Sequence, residues 1–250
     1  MQKKDLVNSI FFPRNSNIEK DSNDVLIKVD KNVEVGVRLF LKDVKFPTII
    51  FFHGNGEIAQ EYEEIGQIYN DYKLNFIVCD YRGYGLSNGT PSKENLHSDS
   101  IKIFNYLSDY LLNKNYKNKL IIMGRSLGSC SAFEIVSKYS DIISGCIIES
   151  GFVTEYPLLH LMGMDPEEIS FDLTDGFMNL SKVKKFKGPL LIIHADLDDI
   201  VPLSQAELML IESGSQNKEL FKVNGANHNN IMMVARMEYF NRIYRFIEQV

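Results

Sequence analysis

The sequence has few cysteines, no long apolar run and no cluster of positive charge. Its three cysteines are an odd number, and no two of them form a Cys-x-x-Cys pair. The composition therefore argues against a disulfide framework and a metal site, and it favours a reducing compartment such as the cytoplasm. No stretch approaches eighteen apolar residues, so no transmembrane helix is expected. Without a basic run, and with a net charge of -6, neither nucleic acid nor an anionic membrane is expected as a partner.

The beginning of the chain contains a short apolar stretch, residues 6–12, that is broken by polar residues. It has no small-residue cleavage site, so we do not expect a signal peptide there. Residues 6–46 are predicted to be antiparallel strand material. Within them, residues 25–29 and 33–41 form two strand candidates separated by a polar turn.

From Pro47 onward, short apolar runs alternate with longer helical segments. Continuous apolar runs suit strands covered on both faces, and the alternation implies a mostly parallel sheet with helices on both faces. We therefore predict a single α/β domain over residues 1–250, with a mostly parallel central sheet of about eight strands. The inner strand candidates are residues 48–52, 75–79, 119–123, 144–148, 190–193 and 219–223. The helix candidates are residues 57–71, 92–112, 126–139, 204–213 and 229–248.

Residues 151–187 break this alternation, because they are too long for a plain crossover between two strands. We interpret them as a small cap-like insertion over the active-site edge; a long crossover helix with untidy ends is the alternative. Their apolar side chains suggest an acyl pocket, although packing of the insertion onto the domain is the simpler interpretation. These side chains belong to Leu158, Leu159, Leu161, Met162, Met164, Phe171, Phe177 and Met178.

A Gly-x-Ser-x-Gly motif, residues 124–128, lies between an apolar run of strand type and a helical segment. This is the nucleophile-elbow pattern, in which a tight strand-to-helix turn exposes a serine at the edge of a sheet. Side chains two residues before and after Ser126 would collide, so Gly124 and Gly128 need to be glycine. Taken alone, the motif also fits an ordinary turn of small residues.

A serine hydroxyl is a weak nucleophile and needs a histidine base, which an acid holds in the right orientation. His228 follows the last predicted strand, and ligands of open α/β sheets bind beyond such strand ends. It is the predicted base, although a helix-capping loop with an incidental histidine would have the same pattern. Composition does not choose among the candidate acids, which are Asp196, Asp198, Asp199 and Glu149.

The tetrahedral intermediate of acyl transfer needs two preorganised N–H donors. The backbone N–H of Leu127, directly after the serine, is the first candidate. The loop of residues 53–56 contains two glycines, which let the backbone approach a ligand closely. This loop is the candidate for the second donor, and an ordinary strand-to-helix turn is the alternative.

Together these features make the sequence resemble the α/β-hydrolase fold serine hydrolases, from about residue 25 to the C-terminus. The resemblance is strongest to the branch with monoacylglycerol-lipase-like, acyl-protein-thioesterase-like and proline-iminopeptidase-like hydrolases. It rests on five motifs in the same order, which are residues 53–56, 80–87, 124–128, 194–202 and 225–228. The family pattern His-Gly-x-x-Asp-x-x-Val-Pro selects Asp198 as the acid, with Ala195 in place of the glycine.

The resemblance also implies the remaining site residues. They are Ser126 as nucleophile, His228 as base, and the backbone N–H groups of Asn55 and Leu127 as the oxyanion hole. The implied chemistry is two-step acyl transfer through an acyl-enzyme, without a metal or organic cofactor. The expected substrate is a small molecule or acyl compound with a carboxylic ester or thioester.

Two other functions fit the same pattern. An aminopeptidase-like amide hydrolase would need a fixed carboxylate to hold a free amine, for which the candidates are Glu149, Glu155 and Asp172. A non-catalytic binding module on the same fold is the second alternative, because a fold does not imply a function.

Overall fold

The computed structural model describes residues 3–250, with side chains from residue 6 onward. One sheet is formed by β1 (Asp24–Asp30), β2 (Val33–Phe40), β3 (Thr48–Phe52), β4 (Asn75–Cys79), β5 (Leu120–Arg125), β6 (Gly145–Glu149), β7 (Leu190–Ala195) and β8 (Lys218–Val223). The eight strands follow the order β1-β2-β4-β3-β5-β6-β7-β8. β2 is antiparallel to both of its neighbours, and the other strand pairs are parallel. The predicted mostly parallel sheet is confirmed.

Helices cover both faces of this sheet, as the alternation predicted. They are α1 (Lys3–Asn8), α2 (Glu63–Asp71), α3 (Lys93–Asn113), α4 (Gly128–Tyr139), α5 (Tyr156–Leu161), α6 (Asn179–Lys185), α7 (Leu203–Glu212), α8 (Ile231–Ala235) and α9 (Met237–Gln249). A short 3-10 helix, Ala59–Tyr62, precedes α2.

Two apolar cores lie on opposite faces of the sheet, and β3 contributes to both. Ile50 and Phe52 pack into the core that contains apolar residues of α3 and α4. Ile49 and Phe51 pack into the core that contains apolar residues of α2 and α9. Successive side chains of a strand point to opposite faces, so a strand buried on both faces is apolar at every position.

The first part of the chain differs from the prediction. Residues 6–23, expected as strand material, contain the end of α1 and a loop, whose one bridge pairs Asn15 with Gly85. Leu6 and Val7 of α1 are adjacent and both buried, which departs from the alternation of a half-buried strand. The expectation of strands there is wrong because this short apolar stretch packs on the domain as a helix and a loop.

The last predicted helix, residues 229–248, is also different, because it is divided into α8 and α9. Arg236 between them has a φ of 51°, which an α-helix cannot continue. Ile231 and Ile243 are buried in the same core, one on each side of the break. Because buried apolar residues lie on both sides of Arg236, the sequence does not reveal that the helix is interrupted there.

Residues 151–187 contain two short helices, α5 and α6, instead of one long crossover helix. The segment is anchored by Gln205 of α7, whose side-chain oxygen accepts hydrogen bonds from the backbone N–H groups of Val153 and Thr154 at 3.0 Å each. Across residues 3–250, the helices are too short or too polar to cross a membrane. All three cysteines are buried and unpaired.

Candidate active site

The turn from β5 into α4 explains both glycines of the Gly-x-Ser-x-Gly motif. Ser126 has a φ of 50°, an uncommon and strained conformation for a residue with a side chain. A Cβ atom on Gly124 would lie 2.4 Å from the carbonyl oxygen of Gly128, and one on Gly128 would lie 1.9 Å from that of Phe52. Both contacts are shorter than two atoms can approach, so the turn cannot accept another residue at either position.

The structure brings together Ser126, His228 and Asp198. Nε2 of His228 lies 3.0 Å from Oγ of Ser126, and its Nδ1 lies 2.9 Å from Oδ2 of Asp198. All three residues are more than nine-tenths buried. A proton on Nδ1, donated to the carboxylate, leaves Nε2 free to accept the serine proton. The three side chains thus form a hydrogen-bonded chain from hydroxyl to carboxylate.

Asp198 is fixed by the turn that follows β7. Its Oδ1 accepts hydrogen bonds from the backbone N–H groups of Ile200, at 3.1 Å, and Val201, at 2.7 Å. Burial disfavours the charged carboxylate. The hydrogen bond and the charge of His228, together with the N–H of Val201, nevertheless hold the pKa of Asp198 below its usual value.

We expect Asp198→Asn to remove a pH-dependent part of the folding free energy. A carboxyl group with a lowered pKa in the folded state stabilises the fold above its unfolded pKa, and this contribution is lost as the pH falls through the folded pKa. Urea unfolding of wild type and variant between pH 5 and pH 3 should therefore show a stability difference that shrinks below a pH of about 4. Asp199→Asn, which removes an exposed carboxylate from the same turn, serves as the matched control. A constant difference between wild type and Asp198→Asn over this range would contradict the assignment.

The other three candidate acids have different partners. Glu149 lies 3.2 Å from Nε of Arg125 and accepts a hydrogen bond from the hydroxyl of Tyr239 at 2.5 Å. Asp196 accepts the backbone N–H of Gly225, and Asp199 is exposed. Of the four carboxylates, Asp198 is the one in hydrogen-bond contact with His228.

The backbone N–H groups of Asn55 and Leu127 are both available to a ligand. Within residues 3–250, neither N–H donates a hydrogen bond to another protein atom. Both residues line the same cavity as Ser126 and His228. Leu127 directly precedes α4, whose N-terminal amides and dipole favour a negative charge nearby.

The cavity around Ser126 has a volume of about 440 Å³ and mostly apolar walls. Three of the eight apolar insertion residues named above line it, namely Leu158, Leu161 and Met162. In contrast, Leu159 and Phe177 are buried in the core, and Met178 lines a separate small groove. The apolar side chains of the insertion therefore divide between the cavity wall and packing, and the acyl pocket stays a prediction. No aspartate or glutamate is among the described residues that line the cavity.

Arg125, between Gly124 and Ser126, connects three loops of the site. Its Nη2 donates to the carbonyl oxygen of His228 at 2.8 Å, and its guanidinium forms ion pairs with Glu57 and Glu149. Glu57 in turn accepts the backbone N–H of Gly54 at 2.9 Å. The arginine thus links the serine turn, the loop of residues 53–56 and the histidine loop.

Sequence reasoning missed this role of Arg125. The available signal was a charged side chain inside the serine motif, next to residues expected to be buried. Such a side chain has to find partners of opposite charge inside the protein. The sequence alone could not identify them, because Glu57 and Glu149 are far from it along the chain.

Comparisons with known proteins agree with this architecture. The family model described as serine aminopeptidase, S33, matches residues 45–164, a little less than half of the chain. An esterase from Pyrococcus furiosus, Pf2001, has a similar structure, with a TM-score of 0.76 at 19% identity over 95% of this chain and 98% of the esterase. The chain has the α/β-hydrolase fold.

Other known proteins show the range of the similarity. A monoacylglycerol lipase from Paleococcus ferrophilus has a TM-score of 0.66 at 18% identity, covering 86% of this chain and 98% of the lipase. Protein bem46 of Schizosaccharomyces pombe is 28% identical over 187 residues, or 74% of this chain. Human alpha/beta hydrolase domain-containing protein 17B is 28% identical over 211 residues, or 81% of this chain. The matches cover 62% of the bem46 protein and 66% of the human protein, so this α/β-hydrolase fold chain spans somewhat less than two thirds of their length.

Proposed function

We propose that the chain is a serine hydrolase that cleaves a carboxylic ester or thioester through an acyl-enzyme. The proposal rests on one observation: Ser126, His228 and Asp198 form a continuous chain of hydrogen bonds, and its serine and histidine line a cavity together with Asn55 and Leu127, whose backbone N–H groups have no hydrogen-bond partner within residues 3–250. This combination is what acyl transfer requires, because the nucleophile needs a base and the tetrahedral intermediate needs N–H donors.

In the proposed reaction, Ser126 attacks the substrate carbonyl while His228 removes the hydroxyl proton. Asp198 keeps the imidazole in the tautomer with a proton on Nδ1 and stabilises the imidazolium that forms. The N–H groups of Asn55 and Leu127 stabilise the oxyanion. His228 then donates its proton to the leaving alcohol or thiol, and water activated by the same ring releases the acid. No cofactor takes part in these steps.

An ester or thioester is favoured over a peptide because the described residues that line the cavity include no carboxylate to hold a free amine. The three candidate carboxylates for such an anchor, Glu149, Glu155 and Asp172, lie outside the cavity lining. Glu155 accepts the backbone N–H of Phe177 at 2.6 Å, and burial raises its pKa. Amide hydrolysis remains the second candidate, because the matching family model is described as a serine aminopeptidase.

A panel of three substrates tests the proposal: an octanoyl p-nitrophenyl ester, an octanoyl thioester and an aminoacyl p-nitroanilide. We expect kcat/KM for the ester and the thioester to exceed that for the anilide by at least about tenfold, since an unpaired amine is not accommodated. Faster cleavage of the anilide would support the aminopeptidase alternative. A folded protein that turns over none of them and does not react with a fluorophosphonate probe would be a binding module.

The buried cysteines also bear on the compartment. Burial raises the pKa of the Cys130 and Cys146 thiols, so both remain protonated. We propose a reducing compartment, the cytoplasm, in which the three unpaired cysteines persist as thiols.

A further inference from the structure

A short segment near the beginning of the described chain, residues 10–14, lies beside the candidate active site. We call this segment the strap. It precedes residue 45, where the match to the family model begins, so the family match assigns it no role. Ile10 and Phe12 nevertheless line the same cavity as Ser126 and Leu127. A wall of the cavity is therefore built by residues outside the matched region.

The side chain of Asn55 anchors the strap to the proposed oxyanion loop. Its Nδ2 donates to the carbonyl oxygen of Ile10 at 2.5 Å, and its Oδ1 accepts the N–H of Phe12 at 2.9 Å. The buried hydroxyl of Tyr84 donates to the same Oδ1 at 2.6 Å. Asn55 therefore holds the strap with its side chain, and it also lines the cavity with a backbone N–H that donates to no other atom of residues 3–250.

Two further contacts fix the strap on either side of Phe12. The ring of Phe11 is buried and meets Phe177 of the insertion edge-on, with ring centroids 6.3 Å apart. Nε of Arg14 donates to the carbonyl oxygen of Gly56 at 2.9 Å. The backbone around Phe12 is thus held in place, although its own side chain is 68% exposed.

Phe12 is a largely exposed aromatic side chain that lines an apolar cavity, so an apolar ligand in the cavity would bury it. Other residues that line the cavity are also apolar, and they include Leu158, Leu161 and Met162. No charged side chain other than Arg125, which is paired with Glu57 and Glu149, is among the described lining residues. The walls therefore fit an uncharged aliphatic chain.

We propose that the strap forms the specificity wall of the acyl-binding cavity, and that Phe12 confers a preference for medium-length aliphatic acyl chains. This inference rests on the proposed function, in which the cavity receives the acyl group of an ester or thioester. Each additional methylene that becomes buried against Ile10 and Phe12 raises kcat/KM roughly fourfold, until the chain extends past the rim. The same acyl group brings its carbonyl carbon to Ser126, beside the N–H of Asn55.

The test compares wild type with Phe12→Ala on a series of p-nitrophenyl esters from acetate to laurate. For wild type we expect kcat/KM to rise from acetate to octanoate. For Phe12→Ala we expect the ratio of octanoate to acetate to fall about tenfold, because the chain loses apolar surface worth between about one and two methylenes. The exposed side chain contributes little to the core, so the variant should fold. Ile18→Ala, which removes an exposed apolar side chain outside the cavity lining, is the matched control.

A second measurement separates this inference from the proposed function. Binding of octanoate to Ser126→Ala, with and without Phe12→Ala, is measured by calorimetry and needs no turnover. We expect the additional substitution to weaken octanoate binding about tenfold. An unchanged affinity, or an unchanged octanoate-to-acetate ratio in an active enzyme, would overturn the specificity wall while leaving the hydrolase proposal in place. If wild type turns over no substrate but octanoate binding still depends on Phe12, the hydrolase proposal is overturned and the proposal that the strap forms a specificity wall is retained.

Asn55→Ala tests the anchor, since it keeps Phe12 and the backbone N–H but removes three hydrogen bonds to the side chain. If the side chain of Asn55 positions the strap, Asn55→Ala in the Ser126→Ala background should weaken octanoate binding about as much as Phe12→Ala does. Affinity equal to that of Ser126→Ala alone would contradict the role of Asn55 in holding the strap.

Discussion

Replacing Ser126 with alanine is expected to lower ester hydrolysis by about four orders of magnitude or more and to abolish labelling by a fluorophosphonate. The proposed nucleophile would be lost, and the proposed oxyanion donors and the cavity would contribute only residual catalysis. The strained backbone of Ser126, with a φ of 50°, is held by the turn and not by the hydroxyl, so the variant should remain folded. The measurements are kcat/KM on an octanoyl ester, probe labelling and a thermal melt.

Pairs of substitutions among Ser126, His228 and Asp198 should lower activity by less than the product of their single effects. Because Ser126, His228 and Asp198 act as one hydrogen-bonded unit, their losses should not add. We expect Ser126→Ala combined with His228→Ala to be no less active than Ser126→Ala alone. Ser129→Ala, which removes a hydroxyl that donates to the carbonyl oxygen of Ser126 at 2.7 Å, provides a control on the same turn and should retain labelling. Labelling that survives in Ser126→Ala would place the nucleophile elsewhere.

Arg125→Met is expected to cause the largest loss of stability among single substitutions at this site, about 3 kcal/mol or more. The guanidinium is nearly buried and pairs with Glu57 and Glu149, so its removal leaves the buried carboxylate of Glu149 and the partly buried carboxylate of Glu57 without this partner. The measurement is urea unfolding at neutral pH. Arg245→Met, which removes an exposed arginine 3.6 Å from Glu238, should change the unfolding free energy little.

A second substitution identifies the cause of this loss. Burial already raises the pKa of Glu149 despite the nearby arginine, and Arg125→Met should raise it further. Glu149→Gln added to Arg125→Met should therefore recover part of the lost stability. A carboxyl group with a raised folded-state pKa destabilises the fold increasingly as the pH rises, so the deficit of Arg125→Met should also narrow as the pH is lowered. A deficit independent of pH and of Glu149→Gln would show that lost packing, and not unpaired charge, is responsible.

Arg125→Met should also lower activity, although the arginine touches no reacting atom. Its Nη2 holds the carbonyl oxygen of His228, and its partner Glu57 holds the N–H of Gly54 in the loop before Asn55. Small displacements of catalytic groups cost about a hundredfold in rate, so we expect a comparable fall in kcat with a smaller change in KM. A change confined to KM would assign the arginine to substrate binding.

The sheet and the serine turn were predictable because each follows from local sequence. The buried strands β3 and β4 have the bounds that their apolar runs predicted, since a strand covered on both faces is apolar at every position. The motif around Ser126 was recognisable for a similar reason. The turn leaves no space for a Cβ atom at Gly124 or Gly128, so it marks the sequence directly.

Features that depend on residues distant in sequence were not predictable in this way. Four carboxylates were available as the acid, and only the folded chain shows Asp198 within 2.9 Å of His228. The break at Arg236 was hidden because Ile231 and Ile243 remain buried in one core on both sides of it.

The sequence by itself therefore determined the layered α/β architecture and the position of the candidate nucleophile, because periodic burial and steric exclusion act within a few residues. The residues alone left the acid open, the family resemblance selected Asp198, and the tertiary structure places it beside His228. Only the tertiary structure decided which charges surround Arg125 and which segment closes the cavity. Those outcomes depend on distances between side chains from different strand ends and loops. The strap is the clearest case, since Asn55 and Phe12 meet only after the sheet has brought the two loops together.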